Sequence, residues 1–164
     1  MKKFKLELSA EKTRIIEFGR YATINAKRKD KKPDTFDFLG FTHYCDKTRS
    51  GRFKVGRKTR RKKFRQKIKE MNIWLKKIRN KEKLKDWWNT LKAKLRGHYQ
   101  YYGVSGNYRS IYKFYFLTLK LVFKWINRRS QKKSMTLKQF LEYLEKFPLP
   151  RPKIKHNFYT LYSK

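Results

Sequence analysis

Arg60, Arg61, Lys62 and Lys63 stand side by side at the start of an amphipathic stretch, and the chemistry four adjacent cations offer is contact with phosphate. Their surroundings carry the same sign. Residues 49–79 hold fifteen Lys and Arg against the single acid Glu70, and between Trp87 and Leu141 there are twelve Lys and Arg and no Asp or Glu. The formal net charge is +35 on 164 residues, a self-repulsion that disfavours any compact state until a polyanion neutralises it. The partner this charge predicts is nucleic acid.

A second constellation lies at residues 95–109, LRGHYQYYGVSGNYR, where Arg96, His98 and Arg109 interleave with four tyrosines. Tyrosine rings and guanidinium planes stack on unpaired bases, the usual mode of recognising RNA loops. Tyr99 and Tyr102 fall on the apolar face of the expected helix, which leaves Arg96, His98 and Tyr101 as the contact candidates. Gly97 in mid-helix costs up to about 1 kcal/mol against alanine and so predicts close approach by another backbone. Arg128 and Arg129, followed by Lys132 and Lys133, form a further basic cluster where cations also suit a helix C-terminus. Lys12, Arg57 and Lys58 complete the candidate nucleic-acid contacts.

Groups for bond-making chemistry are sparse. His43, His98 and His156 are far apart and Cys45 stands alone, so no zinc pattern assembles and no intrachain disulfide is possible. Asp34 and Asp37 lie close together without other marks of a metal pair. Gly56, Gly103 and Gly106 do not make a phosphate loop. Two-metal nucleotidyl transfer needs clustered acids, and the twelve here are scattered. No catalytic residue, metal ligand or cofactor is assigned to this chain.

The elements that must position the cations follow from periodicity. KTRIIEF (12–18) is short and β-branched and predicts a strand; residues 20–35, with AKRKDKKPD, predict an exposed loop; FDFLGFTHY (36–44) predicts one strand, with RFKVG (52–56) pairing back as a hairpin. The rest reads as helices. Phe64, Ile68, Met71, Leu75 and Ile78 mark one from about 59 to 79. Leu84, Trp88, Leu91, Leu95, Tyr99 and Tyr102 mark a second that Gly103 closes. Ile111, Tyr115, Leu119, Val122 and Ile126 mark a central third from about 107 to 129, packed on two sides. Thr136 and Gln139 open a short fourth with a capping box, and PLPRPK (148–153) runs on extended. The expected fold is α+β, mainly α, a small β-rich part followed by three to four helices. Aromatic content of 17% argues against a disordered basic tail. The longest apolar run, 111–126, is interrupted by Lys113, Lys120 and Lys124 and is too short to span a bilayer, so a soluble protein without a membrane partner is expected.

Five segments then carry a resemblance. LELSAEKTRIIEFGR (6–20), FDFLGF (36–41), LRGHYQYYG (95–103), WINRRSQKKSMTLKQF (125–140) and PLPRPKI (148–154) resemble, in the same order, the C-terminal part of group II intron-encoded reverse transcriptase/maturases. The resemblance implies that 1–56 is the β-rich end of a reverse-transcriptase palm, 57–154 the helical thumb and maturase domain X, and 155–164 a C-terminal tail. It implies binding of group II intron RNA, or an RNA/DNA duplex, in support of splicing, in the bacterial cytoplasm or an organelle. The family's paired catalytic aspartates lie just upstream of the segment matching EKT and are not in this sequence. Mg is therefore expected only for the full-length family enzyme, and polymerase activity would need a separately encoded N-terminal half as partner.

Overall fold

The structure, a computed structural model, describes residues 13–128 and 135–158. The fold is α+β and mainly helical, a three-stranded antiparallel sheet followed by helices. The chain divides into two compact units, one holding residues up to Phe38 together with Thr42–Gly56, the other Leu39–Phe41 and everything from Arg57 onward.

In the first unit, Thr13–Phe18 forms no strand, contrary to the expectation from its β-branched residues. Its polar groups are engaged elsewhere: the Glu17 N–H donates to the Asp34 carboxylate at 3.2 Å and Arg14 to the Thr35 carbonyl at 2.9 Å. The expected loop at 20–35 contains a helix, α1 (Ala22–Arg28), which buries Ala22 and Ala26 one turn apart and ends in Lys27 and Arg28. Asp30, at φ +48, turns the chain out of it, and the Lys31 N–H bonds back to the Ala26 carbonyl at 2.8 Å.

The stretch expected as one strand over 36–44 is two, β1 (Phe36–Phe38) and β2 (Phe41–Lys47), and β3 (Phe53–Thr59) completes the order β1-β2-β3. The break is at Leu39 and Gly40, both with positive φ (+47 and +80), as a two-residue hairpin turn of primed type requires. Packing here is aromatic. Phe18 meets Phe36 edge-on at 5.0 Å and His43 stacks on Phe36 at 4.7 Å, while Gly56 leaves room for the Tyr44 ring, 2.5 Å from where a Cβ would stand.

The second unit is built on α2 (Arg61–Ile78), α3 (Leu84–Tyr102), α4 (Tyr108–Ile126) and α5 (Leu137–Lys146). The three amphipathic stripes become its core, joined by one residue of α5: Met71 and Leu75 of α2, Trp87, Trp88, Leu91, Leu95, Tyr99 and Tyr102 of α3, Ile111, Phe114, Val122 and Ile126 of α4, and Phe140 of α5. Both α2 and α3 pack on α4, which makes it the central helix. Tyr108, Tyr112 and Phe116 nonetheless remain exposed along one side of α4. Thr136 and Gln139 form the capping box of α5. No described helix is long and apolar enough to cross a membrane.

Gly103 closes α3, and there is no room for anything larger, because a Cβ would collide with the Tyr99 and Lys153 carbonyls. The chain after Pro148 returns to this corner. Lys155 and His156 donate their N–H groups to the Gly103 carbonyl, and Ser105 donates to the His156 carbonyl at 2.9 Å. Asn107, 1% exposed, ties the corner to the end of β3: its Oδ1 accepts the Thr59 N–H at 2.7 Å, and its Nδ2 donates to the Thr59 hydroxyl at 2.9 Å and the Tyr102 carbonyl at 2.8 Å.

Candidate nucleic-acid interface

The first turn of α2 has no acid and no capping side chain, and Arg60, its N-cap, is followed by the exposed Arg61, Lys62 and Lys63. The whole helix carries eight Lys and Arg against Glu70, which is tied to Lys67 at 2.8 Å and to Gln66 at 2.9 Å. A helix start already presents about half a positive charge through its free N–H groups, so these cations repel the end they occupy. An anion at that end reverses the sign of the interaction and gains N–H donors and side-chain charges together. Helix α4 repeats the pattern on a smaller scale, with exposed Arg109 and no acid in its first turn.

The remaining sequence candidates divide. Lys58 and Arg96 are exposed. Arg57 is half-buried, with its guanidinium 5.0 Å over the Phe158 ring and one Nη buried without a hydrogen-bond partner among the described residues, so it is turned into packing rather than solvent. Arg128 is exposed just past α4, its guanidinium 5.6 Å from the Trp125 ring. Lys12 and Arg129, with Lys132 and Lys133, lie outside the described residues.

A groove of about 610 Å³ brings several candidates together. On the α2 side it is lined by Lys63, Lys67, Glu70 and Trp74, on the α3 side by Lys94, Gly97, His98 and Tyr101, and the Leu39–Gly40 turn and Phe114 contribute to it. Tyr101 is 54% exposed, stacked on Phe41 at 6.1 Å and held by its hydroxyl, which donates to the Leu39 carbonyl at 3.0 Å.

Two expectations about this segment are corrected. His98 does not stand out in solvent beside Arg96; it is 9% exposed, its ring stacked on Phe114 at 3.6 Å. Gly97 is not there to admit another backbone, because nothing lies within 4 Å of where its Cβ would be. Its cost to the helix, about 1 kcal/mol against alanine, therefore meets no return from packing.

Comparison with protein-family models, with curated proteins and with solved structures gives no match.

Lys67, Trp74 and Lys94 escaped sequence reasoning. The signal for them was present: Lys63, Lys67, Glu70 and Trp74 recur at four, three and four residues, and Lys94, Gly97 or His98, and Tyr101 at three or four. Each polar stripe runs beside the apolar stripe of its own helix, and apolar periodicity alone does not single it out.

Burial pushes the His98 pKa down to about 4, with the nearby Lys67 charge adding to the effect. The folded state thus prefers the neutral ring, and the unfolded chain takes up a proton first as pH falls. Stability is expected to be full above the ordinary histidine value and to drop by about 2 kcal/mol from about pH 7 to about pH 5 through this one group. Urea unfolding of wild type and His98→Phe across that range checks this. The variant keeps a ring against Phe114 and should lose that part of the slope; identical slopes would overturn the assignment.

Proposed function

We propose that this chain binds structured RNA through its phosphate backbone, as the RNA-binding C-terminal part of a group II intron reverse transcriptase/maturase, and that intron RNA is its partner in assisting splicing. The observation that carries the reading is the placement of Arg61, Lys62 and Lys63 at an uncapped, acid-free helix start, where they are unfavourable until an anion arrives. The family half of the proposal rests on the five resembling segments. Packed helices hold these cations at fixed separations, so a folded RNA offering phosphates at matching positions binds without the ordering cost that a flexible basic tail incurs.

The test is a titration of the full chain with a group II intron RNA over a range of salt, with heparin as a polyanion lacking RNA structure. Log affinity for the RNA is expected to fall linearly and steeply with log salt, as counterion release requires, and to exceed that for heparin. A flat salt dependence overturns backbone binding. Equal affinity for heparin overturns recognition of RNA structure.

A further inference from the structure

We propose that the groove lined by Trp74, His98 and Tyr101 is a pocket for a single unstacked RNA base, with Lys63 and Lys94 at the phosphate of the same nucleotide; this deepens the RNA-binding reading and rests on it. Three independent observations lead there. First, Gly97 opens the groove: it sits in mid-helix, exposed, with free space where a Cβ would project. A glycine with no intramolecular reason for being small, on the wall of a cavity, is explained by what enters the cavity.

Second, His98 is a polar side chain more than nine-tenths buried that lines the groove and forms no hydrogen bond among the described residues. Its ring is packed against Phe114 at 3.6 Å and Tyr102 at 4.7 Å, so what it can offer a ligand is its nitrogen edge rather than a face. A neutral imidazole has one donor and one acceptor nitrogen, which suits the mixed donor and acceptor edge of a base and gives nothing to a purely apolar ligand.

Third, Tyr101 is set in advance. Stacking on Phe41 and the bond to Leu39 hold the ring while more than half of it stays exposed, so a base stacking on it does not have to order it. Trp74 also lines the groove, with the Lys94 ammonium 5.0 Å over its ring. The rim is cationic on balance: Glu70 is neutralised by Lys67, which leaves Lys63 and Lys94. That sign selects a nucleotide over an acidic-fronted or uncharged aromatic ligand. The volume falls within the roughly 300–1,000 Å³ of sites that take one small organic group.

The experiment uses the full chain and two RNA hairpins that differ by one bulged adenosine, and repeats the bulged RNA with 2-aminopurine at that position. Wild type is expected to prefer the bulged RNA about tenfold, the scale of one base stacked on an aromatic ring, and to quench the 2-aminopurine fluorescence. Gly97→Leu, which fills the groove from an exposed helix position, should bring the affinity ratio close to one and abolish the quenching. Circular dichroism confirms that the variant is folded, and if it is not, the wild-type ratio and quenching decide alone. Binding of both hairpins with equal affinity, or a preference that a folded Gly97→Leu retains, overturns the pocket and leaves the RNA-binding reading standing. Binding of neither hairpin overturns both.

Discussion

Replacing Arg61, Lys62 and Lys63 together by Gln is expected to weaken binding of a structured RNA about a hundredfold at roughly 0.15 M salt, equivalent to about 3 kcal/mol. Each phosphate contact contributes about 0.7 to 0.9 to the slope of log affinity against log salt, so three contacts lower the slope by about 2 to 3. The same substitutions have the opposite sign for folding. They remove like charge from a helix start that has no acid and no cap, and the variant should melt at the same temperature as wild type or higher. This pairing of signs separates lost contacts from lost structure. Filter binding or fluorescence anisotropy at several salt concentrations, with a thermal melt of each protein, makes the measurement. An unchanged slope would remove this turn from the interface, whatever the affinity did.

Where the sequence was legible, one element's own periodicity sufficed. The three long apolar stripes became α2 to α4 because a helix that repeats large apolar groups every three or four residues has one stable use, burying them. The capping box was readable for the same reason, since Thr136 and Gln139 satisfy each other three residues apart. The sheet region was less legible because its outcome turns on partners and on backbone sign. Residues 13–18 have β-branched content but donate to Asp34 and Thr35 instead of a ladder. Leu39 adopts a positive φ that its residue type disfavours, and an aromatic run that looked continuous is folded at that point into a hairpin. In α1 the signal was two alanines one turn apart inside a charge run, too little apolar area to stand out.

The groove shows the same limit at the level of a site. Setting Tyr99 and Tyr102 on the apolar face leaves Arg96, His98 and Tyr101 as equivalent candidates, yet the fold turns His98 against Phe114 and leaves the other two exposed. Gly97 was correctly marked as abnormal for a helix, but the cause was assigned to a backbone neighbour. A glycine in a helix signals an anomaly but not its cause, and here open space, not close contact, lies where the Cβ would stand.

Asn107 is the buried polar residue whose loss should cost the fold measurably. As the N-cap of α4 it was readable as a helix start, and its side chain would ordinarily accept an N–H of its own first turn. It makes no such bond here. The amide is instead committed to Thr59, 48 residues earlier, and to the carbonyl of Tyr102, with 1% of its surface exposed. Asn107→Ala deletes the side-chain bonds to Thr59 and Tyr102; the Tyr102 carbonyl keeps the Val104 N–H at 2.9 Å, but the Thr59 N–H is left with only the long contact to the Ser110 hydroxyl at 3.4 Å, at roughly 1–3 kcal/mol for a buried group so poorly satisfied. The expected loss is about 2–3 kcal/mol, a sizeable part of the roughly 5–15 kcal/mol that holds a typical domain folded. Urea unfolding followed by circular dichroism should show the midpoint falling while the m-value is kept. Thr59→Val, which removes only the hydroxyl and keeps the backbone N–H bond, should cost about 1 kcal/mol, and the two effects combined should be less than additive because both act on one network. A loss below about 1 kcal/mol for Asn107→Ala would mean that the end of β3 and the α3–α4 corner are not fastened by this amide.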